Sequence, residues 1–191
     1  GYNGTILTSP DGITWTQRTS PVSYDLKKII YTKGLFIVVG TNGTILTSPD
    51  GITWTRRTSG TTNSLYGIAY ANGLFVVVGY NGTILTSPDG ITWTQRTSPV
   101  SYDLKKIIYT KGLFIVVGTN GTILTSPDGI TWTRRTSGTT NSLYGIAYAN
   151  GLFVVVGYNG TILTSPDGIT WTLRTSGTTN SLNGIAYVNG L

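Results

Sequence analysis

The sequence contains no cysteine, no histidine and no methionine. Glutamate is missing as well. Without cysteine there is no disulfide framework and no thiolate metal site. Without histidine or cysteine, no Ser-His or Cys-His nucleophile can be assembled, and the usual zinc ligand sets are excluded. No cofactor is expected. The only side-chain carboxylates are Asp11, Asp25, Asp50, Asp89, Asp103, Asp128 and Asp167. No apolar run approaches the ~20 residues of a spanning helix, so no membrane insertion is expected. Charged residues make up only 10% of the chain, and the net +6 is spread along its whole length. Nucleic-acid binders gather such charge on one face, with aromatic platforms beside it, and no nucleic-acid partner is expected.

What is present is repetition. "NGTILTSPDGITWT" begins at Asn3 and returns unchanged at Asn42, Asn81, Asn120 and Asn159. Repeats of 39 residues therefore start at 1, 40, 79, 118 and 157, and residues 1–191 are expected to form a single domain made of them. Residues 1–78 and 79–156 are identical, so the true unit is a pair of alternating versions. Drift would have scattered differences between the copies. Their identity indicates recent amplification, homogenisation or engineering.

Glycine, threonine, serine, valine and isoleucine dominate, a composition of strands and turns. In residues 65–103, "LYGIAY" alternates, and "LFVVVGY" is a continuous apolar run of the kind buried on both faces. "TILTS" and "ITWTQR" follow. Asn72-Gly73, Asn81-Gly82 and Asp89-Gly90 separate these segments, and such dipeptides predict type I′ hairpins. Four short strands at a period near 40 predict an all-β fold, a β-propeller of about five blades of four antiparallel strands. The "NGT" triplets also match the N-glycosylation sequon, but the turn alone accounts for them.

"SPDGITW" resembles the short Asp-box (BNR-type) hairpin of sialidase-like and photosystem-assembly-factor-like propellers. The match lies on Ser9, Asp11, Gly12 and Trp15, and on Asp50 with Trp54, Asp89 with Trp93, Asp128 with Trp132 and Asp167 with Trp171. The resemblance implies a folding element between a blade's third and fourth strands, with aspartate accepting backbone hydrogen bonds and tryptophan packing beneath. The catalytic acidic residues of sialidases have no recognisable counterparts here.

First strands should begin near residues 26, 65, 104, 143 and 182. Third and fourth strands also number five, but second strands only four. The closing blade is therefore expected to be a composite of N- and C-terminal strands that lacks its "FVVV" strand. That shortfall predicts more chain, a strand from another subunit, or membership of a larger propeller or repeat array.

Lys27-Lys28 and Lys105-Lys106 lie on the innermost strands, where alternation sends one lysine of each pair to each face. With Tyr66 and Tyr144 they are candidate contacts for an anion or acidic glycan. The competing reading is solvated charge that keeps a threonine-rich surface soluble. Arg18, Arg57, Arg96, Arg135 and Arg174 end the outermost strands, where charge protects an edge.

Two functions follow. The first is a non-enzymatic repeat scaffold with a structural or assembly role, its partners arising by self-association or strand complementation. The alternative is a multivalent, lectin-like module that binds glycan through weak repeated sites.

Overall fold

A computed structural model describes residues 1–187; positions 188–191, including Val188 of the fifth repeat, lie outside them. Strands β1 (Ile6–Thr8) and β2 (Thr16–Arg18) form a two-stranded sheet. A first complete blade follows, with β3 (Leu26–Thr32), β4 (Leu35–Gly40), β5 (Ile45–Ser48) and β6 (Thr55–Arg57) paired in that order. The second comprises β7 (Leu65–Ala71), β8 (Leu74–Gly79), β9 (Ile84–Ser87) and β10 (Thr94–Arg96). The third comprises β11 (Leu104–Thr110), β12 (Leu113–Gly118), β13 (Ile123–Ser126) and β14 (Thr133–Arg135). The fourth comprises β15 (Leu143–Ala149), β16 (Leu152–Gly157), β17 (Ile162–Ser165) and β18 (Thr172–Arg174). The first strands β3, β7, β11 and β15 lie side by side in chain order. This is the expected all-β propeller, with β1–β2 representing the fifth blade.

The core sits between blades rather than within them. In β8, Phe75 and Val77 pack on Ile37 and Val39 of the preceding blade. Val76 and Val78 pack on Leu104, Ile107 and Phe114 of the following one. Burying a side chain of valine size stabilises by about 1.5–3 kcal/mol, and here half of that burial depends on each neighbour.

The turns depart from expectation in two places. Asn72-Gly73 and Asn81-Gly82 have positive φ at both residues, as a type I′ turn requires. In Asp89-Gly90 only the glycine does. The Asp89 carboxylate instead captures the N–H groups of Ile91 and Thr92, so the outermost strand begins at Thr94 rather than at Ile91. In the alternate blades Lys33-Gly34 and Lys111-Gly112 form the first turn, with the lysines at φ 51° and 53°. The expected first strand near 182 is the larger correction. Residues 181–187 belong to no sheet.

Two predictions follow from local geometry. Lys33→Asn and Lys111→Asn should each raise stability by up to ~1 kcal/mol, since asparagine tolerates the left-handed region, as measured by urea unfolding. The second concerns Thr44 and Thr122, whose hydroxyls are buried without a partner. Thr83 donates to the Tyr80 carbonyl at 2.6 Å and accepts from the Asn63 amide at 2.9 Å. Tyr24 and Tyr102 stand where Asn63 would serve Thr44 and Thr122. Thr44→Val should therefore be neutral or stabilising by ~1 kcal/mol, whereas Thr83→Val should destabilise by about as much. Equal losses from both would contradict this account.

Candidate functional site

The five aspartate hairpins share one hydrogen-bond circuit. Oδ1 of Asp50 accepts the N–H groups of Ile52 and Thr53, each at 2.8 Å. The Ser48 hydroxyl donates to the same oxygen at 2.9 Å and accepts the Gly51 N–H at 2.8 Å. The Trp54 indole N–H donates to the Gly51 carbonyl at 3.0 Å. Ser9, Asp11, Gly12 and Trp15 repeat the arrangement, as do the hairpins of Asp89 with Trp93, Asp128 with Trp132 and Asp167 with Trp171. Backbone N–H donors hold Asp50, Asp128 and Asp167 down to about 2. Asp89 is lowered further by the same donors, with the Thr92 N–H foremost. Asp11 is likewise held well below the ordinary range, chiefly by the Thr14 hydroxyl. Carboxylates engaged this fully by their own loops are poorly placed to act as acids, bases or metal ligands.

The tryptophans are not equivalent. Trp54 is 8% exposed and lies 6.3 Å from the Phe36 ring, whereas Trp15 is 60% exposed. Trp15 was expected to be a packing anchor. It lacks the phenylalanine of a second strand and so remains uncovered.

The inner lysines sit at β-bulges. Lys105 is the extra residue between Leu104 and Lys106 in the pairing of β11 with β12. Lys27, Tyr66 and Tyr144 occupy the same position in their own blades. The bulge interrupts the alternation expected of each lysine pair. The Lys105 ammonium donates to Asp103 at 2.8 Å and lies 4.4 Å from the Tyr66 ring centroid. Lys27 pairs with Asp25 at 3.1 Å and lies 5.5 Å from the Tyr2 ring centroid. Asp25 is held below the usual carboxyl range by the Asn3 N–H first and by Lys27 second. The structure thus brings Tyr66 and Lys105 together. Among the described residues Tyr144 gains no such partner, because Asn183 stands at the lysine position of the next repeat. Lys28 and Lys106 make no salt bridge among the described residues.

On the outer strands, Arg18, Arg57, Arg96, Arg135 and Arg174 each donate through Nε to a cross-strand threonine hydroxyl at 2.8 Å. The "TSGTTNS" linkers also spend polar groups internally. The Ser59 hydroxyl donates to the Thr61 carbonyl at 3.1 Å, and the Asn63 amide donates to Thr83.

The most distinctive feature is a cleft of about 240 Å³ beside β1, lined by Ile6, Leu7, Leu26, Lys28, Ile29 and Val38. Ile29 is 50% exposed there, against 6% for its equivalent Ile107. Leu7 is 51% exposed, against 0% for Leu46. The neighbouring hairpin reports the same gap. A Cβ on Gly90 would come within 2.7 Å of Ile37 in the preceding blade, whereas one on Gly51 would meet only Phe36 of its own blade. At the other end, residues 182–187 take the seat of a first strand. The Leu182 N–H donates to the Gly157 carbonyl at 2.9 Å, and the Asn150 amide donates to the Tyr187 hydroxyl. Among the described residues no backbone hydrogen bond joins this segment to β1. The strand count locates this gap from sequence. The residues it exposes, Leu7, Trp15 and Ile29, carry no such signal, because their buried equivalents share the same local sequence.

The hairpin carboxylates give the fold a pH dependence. Each is lowered on folding, so its contribution is present above the unfolded value of 3.8 and fades as pH falls toward 2. The thermal midpoint should decline across that interval. Asp128→Asn should lower the midpoint at neutral pH and make it less sensitive to acid, as followed by circular dichroism. An identical acid profile in the variant would refute the assignment.

No curated protein matches the chain. Among solved structures, YCF48 bound to D1 peptide superposes with a TM-score of 0.69 at 17% identity, over 96% of this chain and 60% of that one. YCF48 from Cyanidioschyzon merolae gives 0.66 at 16% identity, over 89% and 66%. The computationally designed Ika8 protein gives 0.71 at 13% identity, over 91% and 55%. These likenesses are of fold alone, and this chain spans less than two thirds of each structure's length. A family model described as the DUF6242 beta propeller domain matches residues 2–101 and again 83–183. The two matches overlap and together cover residues 2–183, and the chain belongs to the DUF6242 β-propeller domain family.

Proposed function

We propose that this chain is a non-enzymatic scaffold, a single domain of four 39-residue repeats and a fifth of 35 residues, whose role is association with other polypeptides. The incomplete blade carries the proposal. It leaves Leu7, Trp15 and Ile29 half or more exposed where equivalent residues elsewhere are covered. A propeller of similar fold, YCF48, is known bound to a peptide, which supports association with protein as a use of this architecture. The enzyme reading is disfavoured by aspartates whose oxygens serve their own turns. The glycan reading loses the linker groups that already bond within the chain.

The two uncovered faces are complementary. Within the chain, the second, third and fourth complete blades set their aspartate hairpins on the second strand of the blade before. The Gly12 hairpin has no such surface, and Leu152 at the far end is 40% exposed. Setting one copy's Gly12 hairpin on another copy's β16 would repeat the internal contact between chains. Such head-to-tail contacts build rings or filaments.

Native mass spectrometry over a concentration series tests this. We expect particles larger than the 20.4 kDa chain, with Leu152→Asp shifting the distribution toward single chains. Single chains at every concentration would overturn the self-association reading.

A further inference from the structure

We infer that the chain carries two phosphate sites, one at Arg56 and Arg57 and the other 78 residues on at Arg134 and Arg135, each taking a phosphate dianion as the free ion or as a monoester. This goes beyond the scaffold reading and is independent of the incomplete blade.

Each site is a cleft where an outermost strand runs into the linker after it. The first, of about 760 Å³, is lined by Arg56, Arg57, Thr58, Gly60 and Thr62, with Gly43 from the turn after β4. The second, of about 750 Å³, is lined by the equivalent residues of the third blade. Among the described residues no carboxylate lines either cleft, and none of the four arginines makes a salt bridge. Two uncompensated guanidinium charges at one cleft favour a doubly charged anion over a singly charged one. Planar guanidinium forks also match phosphate oxygens in pairs, and the threonine hydroxyls add neutral donors.

The clefts are set before any ligand arrives. Nε of Arg57 donates to the Thr47 hydroxyl at 2.8 Å, which fixes the side chain and leaves its terminal nitrogens to the cleft. The Arg56 guanidinium lies 5.7 Å from the Tyr24 ring centroid, as Arg134 does from Tyr102. The linker is pinned as well. The Gly43 N–H donates to the Asn63 carbonyl at 3.0 Å, and a side chain at Gly43 would run into the Thr61 carbonyl. Groups held in place lose little freedom on binding.

The remaining complete blades act as internal controls. In the fourth blade the equivalent cleft, of about 770 Å³, has Leu173 in place of Arg56. In the second blade Gln95 stands there. The aromatic partner changes with the arginine, since Asn63 and Asn141 occupy the positions of Tyr24 and Tyr102. A similar cleft with one arginine and no tyrosine is therefore present in the same molecule.

Equilibrium dialysis against radiolabelled glucose 6-phosphate or inorganic phosphate, near neutral pH and at low salt, counts the sites. Two per chain are expected, with dissociation constants of about 1 mM or tighter. Whichever probe binds more tightly identifies the source as an ester or as the free ion. Glucose 6-sulfate, with one charge fewer, should bind at least about tenfold more weakly. Arg56→Gln, which copies the second blade, should reduce the count from two to one. Adding Arg134→Gln should remove saturable binding. The phosphate-against-sulfate comparison needs no variant, so it stands even where a variant fails to fold. Absent saturable binding, four sites per chain, equal affinity for the sulfate, or binding untouched in folded Arg56→Gln/Arg134→Gln would each overturn the proposal. None of these readouts is particle size, so this proposal and self-association fail separately.

Discussion

The second strand of each blade, "LFIVVG" or "LFVVVG", is buried on both faces, and its side chains divide between two neighbours. Phe75 and Val77 reach back to the preceding blade while Val76 and Val78 reach forward. Such a strand is stable only when both neighbours are present, which is why single repeats of this kind cannot fold alone. The close approach of Gly90, Gly129 and Gly168 to the blade before each follows from the same packing. So does the damage at the open end. Where the second strand is missing, the residues it would have covered stand open on β1 and β3, yet the backbone of β1–β2 remains paired.

That contrast separates two kinds of stabilisation. The aspartate hairpin is a local device. Its donors and acceptors lie within about one turn of chain, and the circuit of Asp11 is intact although Trp15 beneath it is mostly exposed. Tryptophan burial is non-local. It needs the phenylalanine of a second strand, as in the pairs Phe36–Trp54 and Phe114–Trp132. A repeat can therefore keep its hairpin geometry without its packing. This is consistent with one fourteen-residue stretch serving complete and incomplete blades alike.

The period, the four strands per unit and the shortfall of one strand were all legible in the sequence, because each depends on residue order and count. Less legible were features where one side chain decides between backbone conformations. Asp89-Gly90 carries the dipeptide of a two-residue turn, but its carboxylate competes for the following N–H groups and wins, so the loop is longer. Lys33 and Lys111 take a left-handed conformation that favours asparagine, because strand pairing on both sides fixes the turn length. The bulge at Lys105 has no sequence mark, and it altered the expected facing of the lysine pairs. Of the candidate ligand contacts, Tyr66 and Lys105 meet, and that contact depends on which version of the repeat comes next.

Alternation of the two repeat versions has its own electrostatic logic. A lysine on one inner strand meets an aspartate two residues earlier in its own blade and a tyrosine ring on the blade before. The tyrosine version therefore prepares a surface for the lysine version, and the inner-strand lysine pairs never fall in adjacent blades. Like charges in neighbouring inner strands would repel at short range in a partly buried setting. The Asp103 carboxylate also accepts the Asn81 N–H across the interface, so the group that compensates the lysine also fastens the blades together. Charge compensation and blade cohesion are one arrangement in this chain. It repeats with the 78-residue unit rather than with the 39-residue one, so the paired repeat, not the single repeat, is the unit that is electrostatically complete.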